Sequence, residues 1–223
     1  MKFVEVFYSI QGEGKTAGQP RLILRVPECN LKCKWCDTKY SWSPKELIDE
    51  SEVADLLRKY PFWMITGGEP LLYQQEIQDL IVKYEPLWIE LETSGTHLVH
   101  NEAFFDFIDL WNISPKRVED QLDGRSTAPV LLTQVDNMTD YIIKFPYTAK
   151  TEEEANVYSS YLSTLLFSYD ISLVTVRDRI WVMPLTDLDT FTNEKEAWNF
   201  ALNHGFNYTD RLHLRVWGIK RGV

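Results

Sequence analysis

Cys29, Cys33 and Cys36 are the residues of this sequence with the most chemistry to offer. They are its only cysteines, and they lie together in the string ECNLKCKWCDT. An odd number of cysteines crowded into one loop makes a poor disulfide framework, and in a reducing cytosol such crowding points to metal binding. Thiolates are soft ligands suited to iron–sulfur clusters and to zinc. Three of them on a short loop can bind three irons of a cubane cluster. No fourth cysteine exists, so the fourth iron would be open to a substrate or cofactor. Structural zinc usually asks for four closed ligands. A histidine from elsewhere could complete such a site, although none lies inside the loop. Three buried thiols without a metal are the remaining alternative.

The elements that must position this loop are legible as short apolar runs alternating with helical patterns. The sequence predicts strands over Arg21–Val26, Trp63–Thr66, Trp88–Glu92, Leu110–Ser114, Tyr141–Phe145, Ile180–Met183 and Leu212–Trp217, and a further one over Phe3–Tyr8. Helices are expected over Lys45–Tyr60, with Ser43-Pro44 as its start, and over Tyr73–Tyr84, Asn101–Phe107, Glu152–Leu166 and Asn193–Asn203, the last stopped by Gly205. The polar stretch Pro115–Pro129 is expected to be a loop. This alternation predicts an α/β fold with a largely parallel sheet. A partial, incomplete β/α barrel of about six units fits the length better than a complete one. The cysteine loop, Gly67-Gly68-Glu69-Pro70, Thr93-Ser94-Gly95 and Ser114-Pro115-Lys116 each follow a predicted strand. Ligands bind at the carboxyl ends of parallel strands, so these four motifs should face one cavity. In the second motif, paired glycines allow close backbone approach and a carboxylate favours an ammonium, although the same four residues also make a fair turn.

Composition bounds the rest. The chain has 223 residues, 44% hydrophobic and 25% charged, with a formal net charge of −10. One domain over residues 1–223 is the expectation. The negative charge disfavours a nucleic-acid-binding face. The N-terminus does not have the pattern of a secretory signal, and no segment approaches a membrane span of ~20 apolar residues, so a cytoplasmic location is expected.

The Cys-x3-Cys-x2-Cys spacing, with Trp35 before the last cysteine, resembles the hallmark of the radical S-adenosylmethionine (SAM) superfamily, and Gly67–Pro70 resembles its GGEP motif. Within that superfamily the chain is similar to the 7-carboxy-7-deazaguanine synthases over nearly its whole length. Ser9-Ile10-Gln11-Gly12-Glu13-Gly14, Cys36-Asp37-Thr38, Glu92-Thr93-Ser94-Gly95-Thr96, Ser114-Pro115-Lys116 and the ending Leu212–Val223 carry this resemblance.

The resemblance implies a radical SAM type of partial barrel with a [4Fe–4S] cluster on Cys29, Cys33 and Cys36, whose open iron is chelated by SAM. It implies conversion of 6-carboxy-5,6,7,8-tetrahydropterin to 7-carboxy-7-deazaguanine with loss of ammonia, in deazapurine biosynthesis of the queuosine type. SAM is regenerated, so it acts catalytically. It also implies Mg2+, held by the Thr38 hydroxyl, an electron donor such as flavodoxin, and a homodimer. Gln11, Gly12, Glu13 and Gly14 are then expected to form a substrate platform, with Glu13 and the nearby backbone meeting the donors of a pyrimidine edge. Arg25 is expected to pair with the pterin carboxylate, a structural salt bridge being the alternative. Thr93 and His213 are further substrate candidates. Gly67, Gly68, Glu69, Ser94, Ser114 and Lys116 are candidates for SAM. Glu92 matches a position that contacts SAM or substrate. Lys144 is a candidate buried cation with a carboxylate partner, without an assigned role.

Overall fold

The computed structural model describes residues 1–185, 193–218 and 220–222. Two residues of the ending singled out above, Ile219 and Val223, lie outside the described residues. The chain divides into two compact units, the first made of Met1–Ile10, Pro20–Tyr141 and Arg221–Val223, the second of Gln11–Gln19 and Ile142–Lys220.

In the first unit, β1 (Lys2–Phe3) pairs antiparallel with β4 (Ile48–Asp49). The main strands are β2 (Glu5–Ile10), β3 (Pro20–Val26), β5 (Phe62–Gly67), β6 (Trp88–Thr93) and β7 (Leu110–Ile113). They lie in the order β2-β3-β5-β6-β7, with β2 antiparallel to β3 and the other pairs parallel. Alternation along the strands separates two faces. Leu22, Leu24, Trp63, Ile65, Ile89, Leu91, Trp111 and Ile113 share one parity and are all buried. On that apolar side, Tyr84 of α2 (Gln74–Tyr84) meets Trp63, and Phe104 and Phe105 of the turn Glu102–Phe107 meet Trp111.

The opposite parity carries the polar side chains of these strands, Arg21 and Arg25 on β3, Thr66 on β5, Glu90 and Glu92 on β6 and Asn112 on β7, among buried apolar ones such as Ile23 and Met64. Glu90 and Asn112 are fully buried, and Asn112 donates to the Glu90 carboxylate. Arg21 approaches Glu90 at 3.7 Å and stacks on Trp88. A buried charge needs such partners. Nearer the carboxyl ends, Thr66 donates to Glu92 at 3.1 Å. The polar parity therefore prepares one side of the sheet for a site.

Two expectations fail here. The helix over Lys45–Tyr60 is instead β4, a 3-10 turn Glu50–Val53, and a short α1 (Ala54–Lys59). The start signal is Asp49, which forms a capping box with Glu52, while the Ser43 hydroxyl donates to the neighbouring Trp42 carbonyl. Asn101–Phe107 is a 3-10 turn capped by Asn101 rather than an α-helix.

In the second unit, β8 (Tyr141–Tyr147), β9 (Ile180–Pro184) and β10 (Asn207–Tyr208) run parallel in that order. The helices are α3 (Glu152–Ser168), α4 (Leu173–Val176), α5 (Glu194–His204) and α6 (Leu212–Trp217). Thr151 and Glu154 form the capping box of α3, and Gly205 ends α5 in the left-handed conformation. Tyr147, Tyr158, Val182, Ala197, Phe200 and Ala201 form its core. Leu212–Trp217, expected as a strand, is the helix α6. Its alternating apolar residues mislead because only Leu214 is buried, and the Asp210 carboxylate binds the Arg211 N–H and the Arg215 guanidinium at its start. Among the described residues no helix is long and apolar enough to cross a membrane.

Candidate active site

The first unit assembles its motifs at the carboxyl ends of β3, β5, β6 and β7. After Val26 the chain enters the cysteine loop, with Glu28 in the left-handed region at φ 57°. Gly68 N–H donates to the Val26 carbonyl at 2.9 Å and Glu69 N–H to the Glu28 carbonyl at 2.8 Å. A β-carbon on Gly68 would overlap the Glu28 carbonyl, and Gly67 has φ 134°. The paired glycines thus let this strand end lie directly against the cysteine loop.

Glu69 is fully buried and saturated. Its carboxylate accepts from Leu71 N–H at 3.0 Å, Thr93 hydroxyl at 2.6 Å, Ser94 N–H at 2.9 Å and Ser94 hydroxyl at 2.5 Å. Where an ammonium partner was expected, the four donors to this carboxylate all come from the protein, and the side chain ties β5 to the Thr93-Ser94 turn. The Thr93 and Ser94 hydroxyls are committed to the same network. Ser114 N–H donates to the Thr93 carbonyl at 2.8 Å, and the Ser114 hydroxyl accepts from Lys116 Nζ at 2.6 Å. Lys116 also lies 5.2 Å above the Trp35 ring, which brings it to the cysteine loop.

The cysteines are free thiols, Cys33 buried and the others half-buried. Leu31 N–H donates to Cys29 Sγ at 3.4 Å and Gln121 Nε2 to Cys33 Sγ at 3.2 Å. Cys36 Sγ lies 3.4 Å from the Thr38 hydroxyl. Thr38 makes no side-chain capping bond, so its hydroxyl is not spent on the turn it precedes. Burial pushes the Cys29 thiol up to about 11, against the Leu31 N–H and together with Glu69 and the other cysteines. Burial also raises Cys33, opposed by Lys116 and the Gln121 amide. Bound iron reverses this by stabilising thiolates. Among the described residues no three His, Cys, Asp or Glu side chains converge on a single ion. A cubane does not require that, because each thiolate takes a different iron. The Trp35 indole N–H is buried without a partner among the described residues, a donor left for a ligand. The donor set fits a [4Fe–4S] cluster with a cofactor beside it.

Gln121 is a residue the sequence reading missed. It sits in the otherwise unassigned stretch 115–129, and its amide holds both Lys32 N–H, at 2.8 Å, and Cys33 Sγ. Lys34 N–H and Leu122 N–H bond across the same two segments. Gln121→Leu is expected to cost about 1 kcal/mol, because the part-buried Lys32 N–H loses its acceptor. Iron release to a chelator, followed by absorbance, should be faster in this variant while its secondary structure is retained.

Arg25 pairs with Glu5 at 3.0 Å. The structural salt bridge weighed as an alternative is therefore present, and it engages only Nε.

The second unit holds the other set. Glu13 binds Lys144 Nζ at 2.8 Å and Arg211 Nε at 3.1 Å, with His213 Nε2 at 3.9 Å. Burial opposes ionisation of Glu13, but Lys144, Arg211 and His213 together hold its carboxyl far below the usual range. The platform expected of Glu13 is thus built on cations, and its oxygens already have protein donors. Gln11 is buried and accepts from Glu13 N–H at 3.2 Å. Leu212 N–H donates to the Gly12 carbonyl, and Gly14 N–H donates to the Thr209 hydroxyl at 2.7 Å. A side chain at Gly12 would collide with the His213 imidazole, so glycine is what lets that ring close on the loop. His213 reaches it from helix α6, not from a strand.

The chain matches the Radical SAM superfamily over residues 23–122. It is 29% identical over 231 residues to the 7-carboxy-7-deazaguanine synthase of Pyrobaculum aerophilum, covering 100% of this chain and 97% of that one. It is 30% identical over 236 residues to the enzyme of the same name from Hyperthermus butylicus, covering 97% of this chain and 92% of the other. The crystal structure of QueE from Escherichia coli superposes with a TM-score of 0.64 at 20% identity, over 95% of this chain and 94% of that one. Fold and cysteine loop together define a radical SAM enzyme, which carries a [4Fe–4S] cluster and uses SAM. The chain belongs to the 7-carboxy-7-deazaguanine synthase family.

Proposed function

We propose that this enzyme converts 6-carboxy-5,6,7,8-tetrahydropterin to 7-carboxy-7-deazaguanine, with loss of ammonia, in queuosine-type deazapurine biosynthesis. The observation that carries the reading is the joint presence, in one chain, of the three-cysteine loop locked to Gly67–Glu69 and of a Gln11–Gly14 loop built on Lys144, Arg211 and His213. The cluster and SAM supply the radical that opens the reaction at C6 of the pterin. Cys29, Cys33 and Cys36 hold the cluster. The backbone of Gly67–Glu69, with Ser94, Ser114 and Lys116, holds SAM. Arg25 binds the substrate carboxylate, and Gln11, Gly12, Glu13, Gly14, Thr93 and His213 orient the pterin. All residues 1–223 serve this one activity, as a single radical SAM domain. The test is anaerobic turnover of the carboxypterin with SAM and a reductant. Deazaguanine product supports the proposal; SAM cleavage without it favours a radical SAM enzyme of another kind, such as an activase of a partner protein.

Mg2+ belongs to the proposal through Thr38. Mg2+ prefers oxygen donors and keeps several waters, so one protein hydroxyl suffices when the substrate supplies more oxygens. Thr38→Ala is expected to retain iron and SAM cleavage, to lose most product formation, and to flatten its Mg2+ response. Thr38→Ser should be mild. Product formation against Mg2+ concentration, normalised to iron, checks both. An unchanged Mg2+ response in Thr38→Ala contradicts the assignment.

A flavodoxin-type protein is the electron donor. The thiols require a reducing compartment, which supports the cytoplasm. The enzyme is a homodimer, a reading supported by the exposure of Trp198, Leu202, Val216 and Trp217 in the second unit. Sedimentation at low concentration tests the dimer: only monomer, with activity intact, would contradict it.

A further inference from the structure

Glu5, on β2 of the first unit, gathers donors from three separate parts of the chain. Its Oε2 accepts from Arg25 Nε at 3.0 Å and from the Tyr40 hydroxyl at 2.9 Å. Its Oε1 accepts from Arg221 Nε at 2.9 Å. The Arg221 guanidinium also lies 3.5 Å from the centre of the Tyr40 ring, a cation–π contact. Glu5 and Arg25 are directly paired across the β2–β3 ladder, so the strand register places the two side chains together. Both are well covered, at 14% and 16% exposure. Arg25 meets Glu5 through Nε, and no acceptor among the described residues takes Nη1 or Nη2. A guanidinium binds a carboxylate best through two parallel N–H groups. With Nε held, the Nη1–Nη2 edge remains for an incoming anion.

We infer that Glu5 is a positioning residue for Arg25, itself held by Tyr40 and Arg221, and that this set fixes the preference for a carboxylated pterin. The inference rests on Arg25 being the partner of the substrate carboxylate. Two effects compete. An arginine already oriented loses less rotamer freedom on binding, which favours the anion. A carboxylate beside it weakens its field. Arg221 offsets the second effect, because Glu5, Arg25 and Arg221 together still carry a net positive charge. Orientation is then the larger contribution. Arg221 comes from the far end of the sequence, so the seat of the C-terminal segment belongs to the same set.

The test is equilibrium binding of two ligands, 6-carboxytetrahydropterin and tetrahydropterin without the carboxylate, to the cluster-loaded enzyme with SAM present. The readout is the ratio of the two affinities. Glu5→Asp keeps the charge and withdraws the carboxylate by one carbon. It is expected to lower the ratio roughly tenfold, the size of one charge-assisted hydrogen bond, by weakening the carboxylated ligand alone. Tyr40→Phe and Arg221→Ala should lower it about two- to threefold, a smaller effect because each removes only one support of Glu5 and Arg221 is 55% exposed. Arg25→Ala must lower the ratio more than any of these. If Arg25→Ala leaves it unchanged, the reading of Arg25 fails and takes the inference with it. If Arg25→Ala lowers it while Glu5→Asp and Tyr40→Phe do not, the positioning role alone is overturned. Equal weakening of both ligands by Glu5→Asp marks a residue that only supports the fold, and overturns it too.

Discussion

Glu13→Gln is expected to destabilise the protein by about 1.5–3 kcal/mol, the cost of removing the charged acceptor of two well-covered hydrogen bonds, from Lys144 and Arg211. Lys144 and Arg211 are each only 5% exposed, and each meets one oxygen of Glu13. The amide of glutamine keeps one acceptor and turns a donor toward the second cation. The pH dependence has a definite sign. The folded-state pKa of Glu13 lies below the ordinary value of 4.5, so its contribution is fully present above that value and is lost as pH falls below it. Denaturant unfolding between pH 7 and pH 3, at matched iron content, should show the gap between wild type and Glu13→Gln closing on the acid side. A constant gap over that range would mean that the charge of Glu13 is not what stabilises the cluster of cations.

Replacing any one of Cys29, Cys33 and Cys36 by alanine is expected to abolish SAM cleavage and remove most bound iron. Three thiolates are all the cysteine ligands the chain has. The loop itself should survive, since Gln121, Gly68 and Glu69 hold it through bonds to Lys32, Val26 and Glu28. Iron analysis, the visible spectrum and 5′-deoxyadenosine formation measure this directly. A single variant that kept full iron and full cleavage would show the ligand set to be wrong.

How far the sequence carried can be seen residue by residue. Strands β3, β5, β6 and β7 were legible as short apolar runs, because most of their positions are buried. The four motifs at their ends were legible because parallel folds put ligands there. The geometry that holds those motifs was not. Glu69 looked like a recognition carboxylate, because its four donors come from Leu71, Thr93 and Ser94, and most of them lie more than 20 residues away. Gln121 carried no local signal, since its partners Lys32 and Cys33 are 89 and 88 residues distant. Lys144 was recognisable as a cation in an apolar strand that needs a carboxylate, but nothing local identified Glu13 as that carboxylate. Helix α6 was misread because six residues with alternating leucine and valine fit both periods, and the charges of Asp210 and Arg215 decide between them.

The central claim is that the enzyme makes 7-carboxy-7-deazaguanine with SAM as a regenerated cofactor. The most direct measurement is the yield of product from excess 6-carboxytetrahydropterin when SAM is supplied at about one-tenth of the substrate, with reductant and Mg2+ present. The account predicts several equivalents of product per SAM, with 5′-deoxyadenosine remaining a minor species. Product that never exceeds the SAM supplied, or SAM consumed to 5′-deoxyadenosine with no deazaguanine formed, would contradict it.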